Sequence, residues 1–254
     1  MTGEALSPPS VSESDAGSKT VKSPAMVECL HLHKAYGRGR GVFHDVDVRI
    51  HRGEFVCLTG PGGSGKTTFL NLLTGQETPD SGIVLVDGVN VQTLGEQKLA
   101  RFRQRIGVVY QDLKLVPNWT VFENVALPLI ALSKGEAFAR QRVGQVLSSL
   151  RLQGKKTAVC ERLSEGERQR TAVARALVHN PILILADEPT AHLDNQDEAL
   201  VWGLLRNAHL AGTTIIITCH QAPGIEMQEA MYRLQICEQR LVRHGVALPR
   251  QPVC

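Results

Sequence analysis

The stretch Gly60-Pro-Gly-Gly-Ser-Gly-Lys-Thr67 decides how the rest of this 254-residue chain is interpreted. It fits the pattern G-x-x-x-x-G-K-[ST], in which glycines let the backbone fold tightly and point several N–H groups at one anion. The apolar run Phe55 to Leu58 precedes it, and the helical segment Thr68 to Leu73 follows. The helix N-terminus adds positive potential, so this order predicts a phosphate site. Lys66 would reach the phosphates and the Thr67 hydroxyl would bind Mg²⁺.

Two further apolar runs, Ile182 to Ala186 and Thr214 to Cys219, are typical of strands buried on both faces. Together with Phe55 to Leu58 they predict a parallel sheet between helices. Ligands of such sheets lie at the carboxyl ends of the strands, where the first run delivers Asp187. We expect Asp187 to hold Mg²⁺ through a water and Glu188 to polarise an attacking water.

The remaining pattern predicts an antiparallel region and helices. Val27 to Leu32 and Val46 to Ile50 alternate with period two, and two short strands flank the turn signal Asp87-Gly88. Ser164 and Glu167 have the spacing of a capping box at a helix start. Helices are expected over 94–105, 121–132, 136–150 and 165–178. The fold class is therefore α/β.

The composition limits the classes of protein to which this chain can belong. The chain is 43% apolar and 21% charged with a net charge of +3, as in ordinary globular proteins. No basic cluster indicates a nucleic-acid partner. No apolar stretch reaches the 18 residues of a membrane span, and the N-terminus lacks a secretion signal, so a cytoplasmic location is expected. The six widely spaced cysteines suggest neither zinc nor a disulfide framework, and free thiols are expected.

The domain boundaries follow from composition and motif order. Residues 1–25 hold six Ser and three Pro and are expected to form a disordered tail. Residues 26–245 are expected to form one nucleotide-binding domain, with a helical subdomain over about 94–178, and residues 246–254 a C-terminal tail.

The motif order resembles one family. GPGGSGKT (60–67), Gln111, LSEGE (163–167), ILILADEPT (182–190), HLD (192–194) and His220 together resemble the ATP-binding subunit of an ABC transporter. The stretches 105–112 and 120–129 are similar to the branch of FtsE-type cell-division, LolD-type lipoprotein-release and MacB-type ATPases, and the lead-in 55–60 favours the cell-division type. The resemblance implies a P-loop NTPase of ABC type, with a RecA-like parallel-sheet core, an antiparallel β subdomain and a helical subdomain.

The resemblance also implies roles for individual residues. Gln111 would touch Mg²⁺ and the attacking water, His220 the γ-phosphate, and Tyr36 would stack on adenine, unless it is only a strand-end tyrosine. The expected catalytic residues are Glu188, His220 and Gln111, and the expected Mg²⁺ ligands are Thr67, Gln111 and Asp187. The expected ATP contacts are Tyr36, Gly60, Pro61, Gly62, Gly63, Ser64, Gly65, Lys66, Thr67, Thr68, Ser164, Gly166, Glu167 and Asp194. The role of His192 is open.

The implied activity is hydrolysis of ATP by two copies packed head to tail, with the signature segment of each covering the nucleotide of the other. The implied partner is an integral membrane subunit, FtsX-like or a lipoprotein-release permease, at the cytoplasmic face of the inner membrane. Lipoprotein release or export is an alternative to cell division, and so is an ATP-dependent scaffold with weak hydrolysis. DNA-associated relatives are disfavoured, since no long coiled coil or zinc module separates the two halves of the chain.

The signature segment departs from the family pattern. This segment is LSEGE (163–167), and Glu165 follows Ser164 where the family has the first of two glycines. A carboxylate about 4 Å from a phosphate would cost on the order of 4 kcal/mol at an effective dielectric near 20. We therefore expect the Glu165 side chain to point away from the nucleotide, or the dimer to be weak and turnover slow.

Overall fold

The computed structural model describes residues 24–37, 40–219 and 231–244. Most of the predicted tail 1–25, the predicted tail 246–254 and His220 lie outside the described residues. Ala25, which we assigned to the N-terminal tail, is instead the first residue of a strand. Its inclusion follows from pairing, because Ala25 lies opposite His51 of the neighbouring strand.

A six-stranded sheet forms the centre of the fold. Its strands are β3 (Phe55–Thr59), β6 (Ile106–Val109), β7 (Leu183–Asp187), β8 (Thr214–Thr218), β9 (Met231–Cys237) and β10 (Arg240–His244). They lie in the order β10-β9-β3-β8-β7-β6, with β3, β6, β7, β8 and β9 paired in parallel and β10 antiparallel to β9. Every residue of β7 and β8 is buried. The predicted parallel core is confirmed.

A second, four-stranded sheet is antiparallel. It has the order β2-β1-β4-β5, formed by β1 (Ala25–Tyr36), β2 (Arg40–His51), β4 (Ser81–Val86) and β5 (Val89–Asn90). The predicted hairpin turn at Asp87-Gly88 joins β4 to β5. β1 and β2 are longer than predicted because bulges interrupt the alternation of side chains, with His31 at φ 47° and Asp45 at φ 49°.

The helices agree with the predicted ones to within two residues. They are α1 (Lys66–Thr74), α2 (Glu96–Arg103), α3 (Val121–Ala131), α4 (Glu136–Ser149), α5 (Glu165–Leu177) and α6 (Asn195–Leu210), of which α6 was not predicted. Ser164 caps α5 through the expected capping box with Glu167. Among the described residues, no helix is long and apolar enough to cross a membrane.

Two apolar cores lie on opposite faces of the six-stranded sheet. Phe55, Ile184 and Ile215 face a core shared with α3, α4, α5 and α6. Their neighbours along the same strands, Val56 and Leu185, face a core shared with α1 and the antiparallel sheet. Burial on both faces explains why these strands have continuous apolar sequences.

The range 94–178, which we expected to be helical, contains β6. This four-residue strand was too short to be distinguished by periodicity, yet it forms an edge of the six-stranded sheet. α5 packs directly on β6 at Gly107, where an added Cβ would lie 2.2 Å from the Ala176 carbonyl oxygen. The backbone of α5 therefore leaves no room for a side chain at position 107.

The expectation of free thiols was wrong for three of the described cysteines, because Cys57, Cys219 and Cys237 are disulfide-bonded. Cys57 of β3 and Cys219, which follows β8, form a disulfide across 162 residues of sequence, with their Cα atoms 6.6 Å apart. The reason is strand pairing: Cys57 lies opposite Ile217, so Cys219, two residues on, projects from the same face. Cys29 and Cys160 are free and buried, as expected.

The contact at Gly107 predicts a large effect of one methyl group. Gly107→Ala should lower the free energy of unfolding by about 1–3 kcal/mol or more, because the α5 backbone must move to admit the Cβ. Gly203→Ala is the matched control, since nothing lies within 4 Å of its Cβ position on α6. That control should gain up to about 1 kcal/mol from helix propensity. Urea denaturation monitored by circular dichroism measures the free energy of unfolding of both variants. Equal values for Gly107→Ala and the parent protein would contradict the close contact.

Candidate functional site

The loop 60–65 connects β3 to α1 through backbone that only glycine adopts easily. Gly63 has φ 73° and Gly65 has φ 109°. A Cβ on Gly65 would also lie 2.3 Å from Val42 Cγ1 of β2. The glycines at these positions therefore allow both the turn and the close approach of the antiparallel sheet.

The N-terminus of α1 is left open to an anion. Its N-cap is Gly65, which provides no side-chain cap, and its first turn holds no acidic residue. By contrast, α3, α5 and α6 are capped by Thr120, Ser164 and Asp194 and have acidic first turns. The first N–H groups of α1 thus keep their hydrogen-bonding capacity and their positive potential.

Lys66 folds back over this loop. Its side chain is 7% exposed, and Nζ donates to the carbonyl oxygens of Gly60 at 2.9 Å and Pro61 at 3.1 Å. The hydroxyl of Ser64 is buried without a partner. A buried ammonium and an unsatisfied hydroxyl in one loop fit a ligand that is anionic and accepts hydrogen bonds.

Asp187 joins the loop to the end of β7. The residue is 5% exposed, and its carboxylate accepts from Thr67 Oγ1 at 2.6 Å and from Thr218 Oγ1 at 2.5 Å. Thr67 and Asp187 are 120 residues apart in sequence. The structure therefore brings together the two residues predicted as Mg²⁺ ligands from the two separate motifs.

Glu188 is held by two residues that the sequence analysis did not assign to the site. Its N–H donates to Thr218 Oγ1 at 3.0 Å, and Gln169 Nε2 of α5 donates to its carbonyl oxygen at 3.1 Å. Its φ of 51° is in the left-handed region. Thr218 could have been found, because it ends a predicted strand beside the one that ends in Asp187. No comparable sequence pattern indicated Gln169.

Two adjoining cavities meet at this point. One, of about 460 Å³, is lined by Tyr36, Gly62, Gly63, Gly65, Lys66, Thr67, Thr68, Gln111 and Glu188. The other, of about 510 Å³, shares Thr67 and Gln111 with it and adds Asp187. Tyr36 is exposed at the mouth of the first, with its hydroxyl 3.4 Å from Thr68 Oγ1. A larger cavity of about 660 Å³ contains none of the predicted site residues.

α5 positions the loop that carries Gln111. Arg175, buried on α5, donates to the carbonyl oxygens of Leu113 at 2.5 Å and Lys114 at 2.6 Å. Burial lowers the pKa of its guanidinium, but arginine stays protonated at physiological pH. Leu113 and Lys114 both have positive φ, and these two bonds help to hold a backbone conformation that is unfavourable for residues with a Cβ.

Of the predicted ATP contacts, Gly60, Pro61 and Ser64 belong to the loop 60–65 but line neither cavity, and four others lie away from that loop. Ser164, Gly166 and Glu167 lie at the N-terminus of α5, where Glu167 is bound by the capping box and by Lys155 Nζ at 3.0 Å. Asp194 caps α6 by accepting from Asp197 N–H at 2.8 Å. None of the four lines either cavity, and His220 lies outside the described residues.

Comparison with known proteins identifies the family. Residues 43–191 match the ABC transporter family. The chain is 39% identical over 220 residues to the cell division ATP-binding protein FtsE of Mycobacterium tuberculosis, covering 86% of this chain and 95% of that protein. It is 39% identical over 183 residues to the lipoprotein-releasing system ATP-binding protein LolD of Shewanella denitrificans, covering 71% and 78%.

A solved structure agrees in fold. It is an ATP-binding cassette determined as a dimer in a post-hydrolysis state bound to ADP and Pi, with a TM-score of 0.80 and 31% identity over 87% of this chain and 99% of that one. The glycine loop lies between a buried parallel strand and a helix, and Asp187 ends a second parallel strand, as the motifs predicted. The chain belongs to the ABC transporter family, within the branch that contains the FtsE and LolD ATP-binding proteins.

Proposed function

We propose that this chain is an ATPase subunit that binds Mg-ATP, pairs with a second copy around it and hydrolyses it. The observation that carries the proposal is the junction of Thr67 with Asp187, because it places the glycine loop beside the strand end that bears Glu188. The uncapped α1 N-terminus, Lys66 and the Ser64 hydroxyl support binding of the phosphates.

The donor set fits magnesium. Thr67 and Asp187 offer a hydroxyl and a carboxylate oxygen, and the amide of Gln111 lines the same cavity as Thr67. Hard oxygen donors of this kind suit Mg²⁺, which would neutralise phosphate charge during hydrolysis. Thr218 keeps the Asp187 carboxylate oriented, so only a rotation of the Thr67 hydroxyl is needed to free one oxygen.

Glu188 is the proposed general base. It lines the cavity beside Gln111 and Thr67, where a water attacking a terminal phosphate would lie. Gln169 and Thr218 fix its backbone from both sides, through the carbonyl oxygen and the N–H. His220, which follows Cys219, is retained as a proposed γ-phosphate contact, and Tyr36 as the adenine platform.

A second copy would supply the remaining contacts. Ser164 and Gly166 stand at the α5 N-terminus, away from the cavity of their own chain, so their expected contact with ATP requires the nucleotide of another subunit. The dimeric relative bound to ADP and Pi supports such an arrangement. Within each subunit, Glu167 takes part in capping α5 and Asp194 caps α6.

The subunit is proposed to drive an integral membrane partner at the cytoplasmic face of the inner membrane. Similarity to FtsE proteins supports an FtsX-like partner in cell division. Similarity to LolD is nearly equal, so a lipoprotein-release permease or an exporter is the alternative. Affinity purification of the chain from membranes of its own cells, followed by identification of the copurifying membrane protein and its companions, decides between them.

One observation favours a second function, an ATP-dependent scaffold with weak hydrolysis. Glu165 places a carboxylate in the signature segment, where the family has glycine. Phosphate release by the purified subunit, with and without its membrane partner, separates the two. Release that stays negligible with the partner present would support the scaffold.

The assignment of Glu188 predicts loss of hydrolysis without loss of binding. Glu188→Gln should retain ATP binding and lower the rate of phosphate release by about 10²- to 10⁴-fold, the range for removal of a general base. Glu136→Gln, on the exposed surface of α4, should leave both unchanged. Binding is measured with a fluorescent ATP analogue, and normal turnover in Glu188→Gln would remove the proposed base.

The magnesium assignment predicts a loss of metal dependence. In the parent protein, ATP should bind more tightly with Mg²⁺ than with EDTA. Asp187→Asn should weaken binding in Mg²⁺ by about tenfold or more and leave binding in EDTA little changed, because one ionic ligand is lost. Asp45→Asn, on the exposed edge of β2, is the control for loss of a carboxylate. An undiminished response to Mg²⁺ in Asp187→Asn would contradict the assignment.

A further inference from the structure

The signature residue Glu165 has a partner in its own chain. Its Oε1 lies 3.5 Å from Nε2 of His192, in the loop between β7 and α6. Both side chains are largely exposed, at 57% for Glu165 and 62% for His192. The contact therefore joins the two segments that flank the proposed subunit interface, the start of α5 and the loop 188–194.

His192 is placed for this contact by its backbone. Its φ of 61° is in the left-handed region, which is uncommon for a residue with a Cβ. The same turn packs Leu193 and the His192 carbonyl against Gly166, at 3.5 and 3.6 Å from its Cβ position. The His192 ring thus stands beside the first turn of α5.

Two other cations near the start of α5 are paired with other carboxylates. Arg170 forms an ion pair with Asp197 of α6, and Lys155 binds Glu167. His192 is the partner that the described part of the chain gives to the Glu165 carboxylate.

The direction in which the Glu165 side chain points affects the N-terminus of α5, because Glu165 is the first residue of that helix. Side chains of an α-helix tilt toward its N-terminus, so an unrestrained glutamate at the first helical position tends to project over the free N–H groups of that end. The Ser164 cap engages the Glu167 N–H and not those of residues 165 and 166, and over these two N–H groups the Glu165 charge would compete with a phosphate. Glu165 also loses water when two copies pack together, and an unpaired carboxylate in that interface is costly.

We infer that His192 is a positioning residue that draws Glu165 aside and keeps the α5 N-terminus open to the phosphate held by a second copy. The inference rests on the proposed function, since it requires pairing of two copies around ATP. It also gives a reason why a carboxylate is tolerated in the signature segment: the Glu165 side chain already has a polar contact within its own subunit before the interface forms.

The test is a double-mutant cycle in the Glu188→Gln background, where hydrolysis does not consume the ATP. The measurement is the Mg-ATP concentration that gives half of the chain as dimer in sedimentation velocity. His192→Ala should raise this concentration by a few-fold, up to about fivefold as for loss of an exposed ion pair, because Glu165 becomes free to occupy the α5 N-terminus. Adding Glu165→Gly to His192→Ala should return it to the parent value, a rescue that loss of structure at position 192 would not give.

Two further variants sharpen the result. His192→Gln, which keeps a hydrogen-bond donor, should restore part of the loss. His31→Ala removes a similarly exposed histidine paired with Asp45 on the antiparallel sheet, and should have no effect. An unchanged midpoint in His192→Ala, or a loss that persists after Glu165→Gly is added, would overturn the inference. Failure of the Glu188→Gln parent itself to dimerise on Mg-ATP would instead overturn the proposed function and this inference with it.

Discussion

A carboxylate as buried as that of Asp187 is stable because two threonine hydroxyls donate to it. Thr67 comes from the first turn of α1 and Thr218 from the end of β8, so this one side chain joins three elements. Thr218 also accepts the N–H of Glu188. The position of the glycine loop relative to the proposed base therefore depends on the hydrogen bonds of Asp187.

The same network explains why the site lies at one edge of the sheet. β3, β7 and β8 are parallel neighbours, and their carboxyl ends deliver the loop at 60–65, Asp187 and Thr218 to one place. α5 packs against one face of the six-stranded sheet beside these strand ends. Gln169 contacts Glu188 and Arg175 holds the segment after Gln111, so one helix orients two site loops.

Much of this was predictable from residues. Continuous apolar runs predicted β3, β7 and β8, because burial on both faces leaves no polar alternation, and the glycine loop indicated the proposed phosphate site. β6 was missed because four residues carry no measurable period. The bulges of β1 and the pairing of Cys57 with Cys219 depend on contacts between distant segments. Gln169 and Arg175 act through side chains whose targets are backbone carbonyls, and such targets leave no trace in sequence.

The two bonds from Arg175 have a mechanical consequence. They tether the segment that follows Gln111 to α5, and the absence of a side chain at Gly107 lets the C-terminal end of that helix pack directly on the sheet edge. Arg175 lies near the C-terminal end of α5 and Ser164 caps its N-terminus, so a displacement of the segment after Gln111 would pass through one helix to the residues around Ser164 and Glu165. In the proposed dimer, the position of that segment and the surface offered to a second copy would therefore be coupled within each subunit.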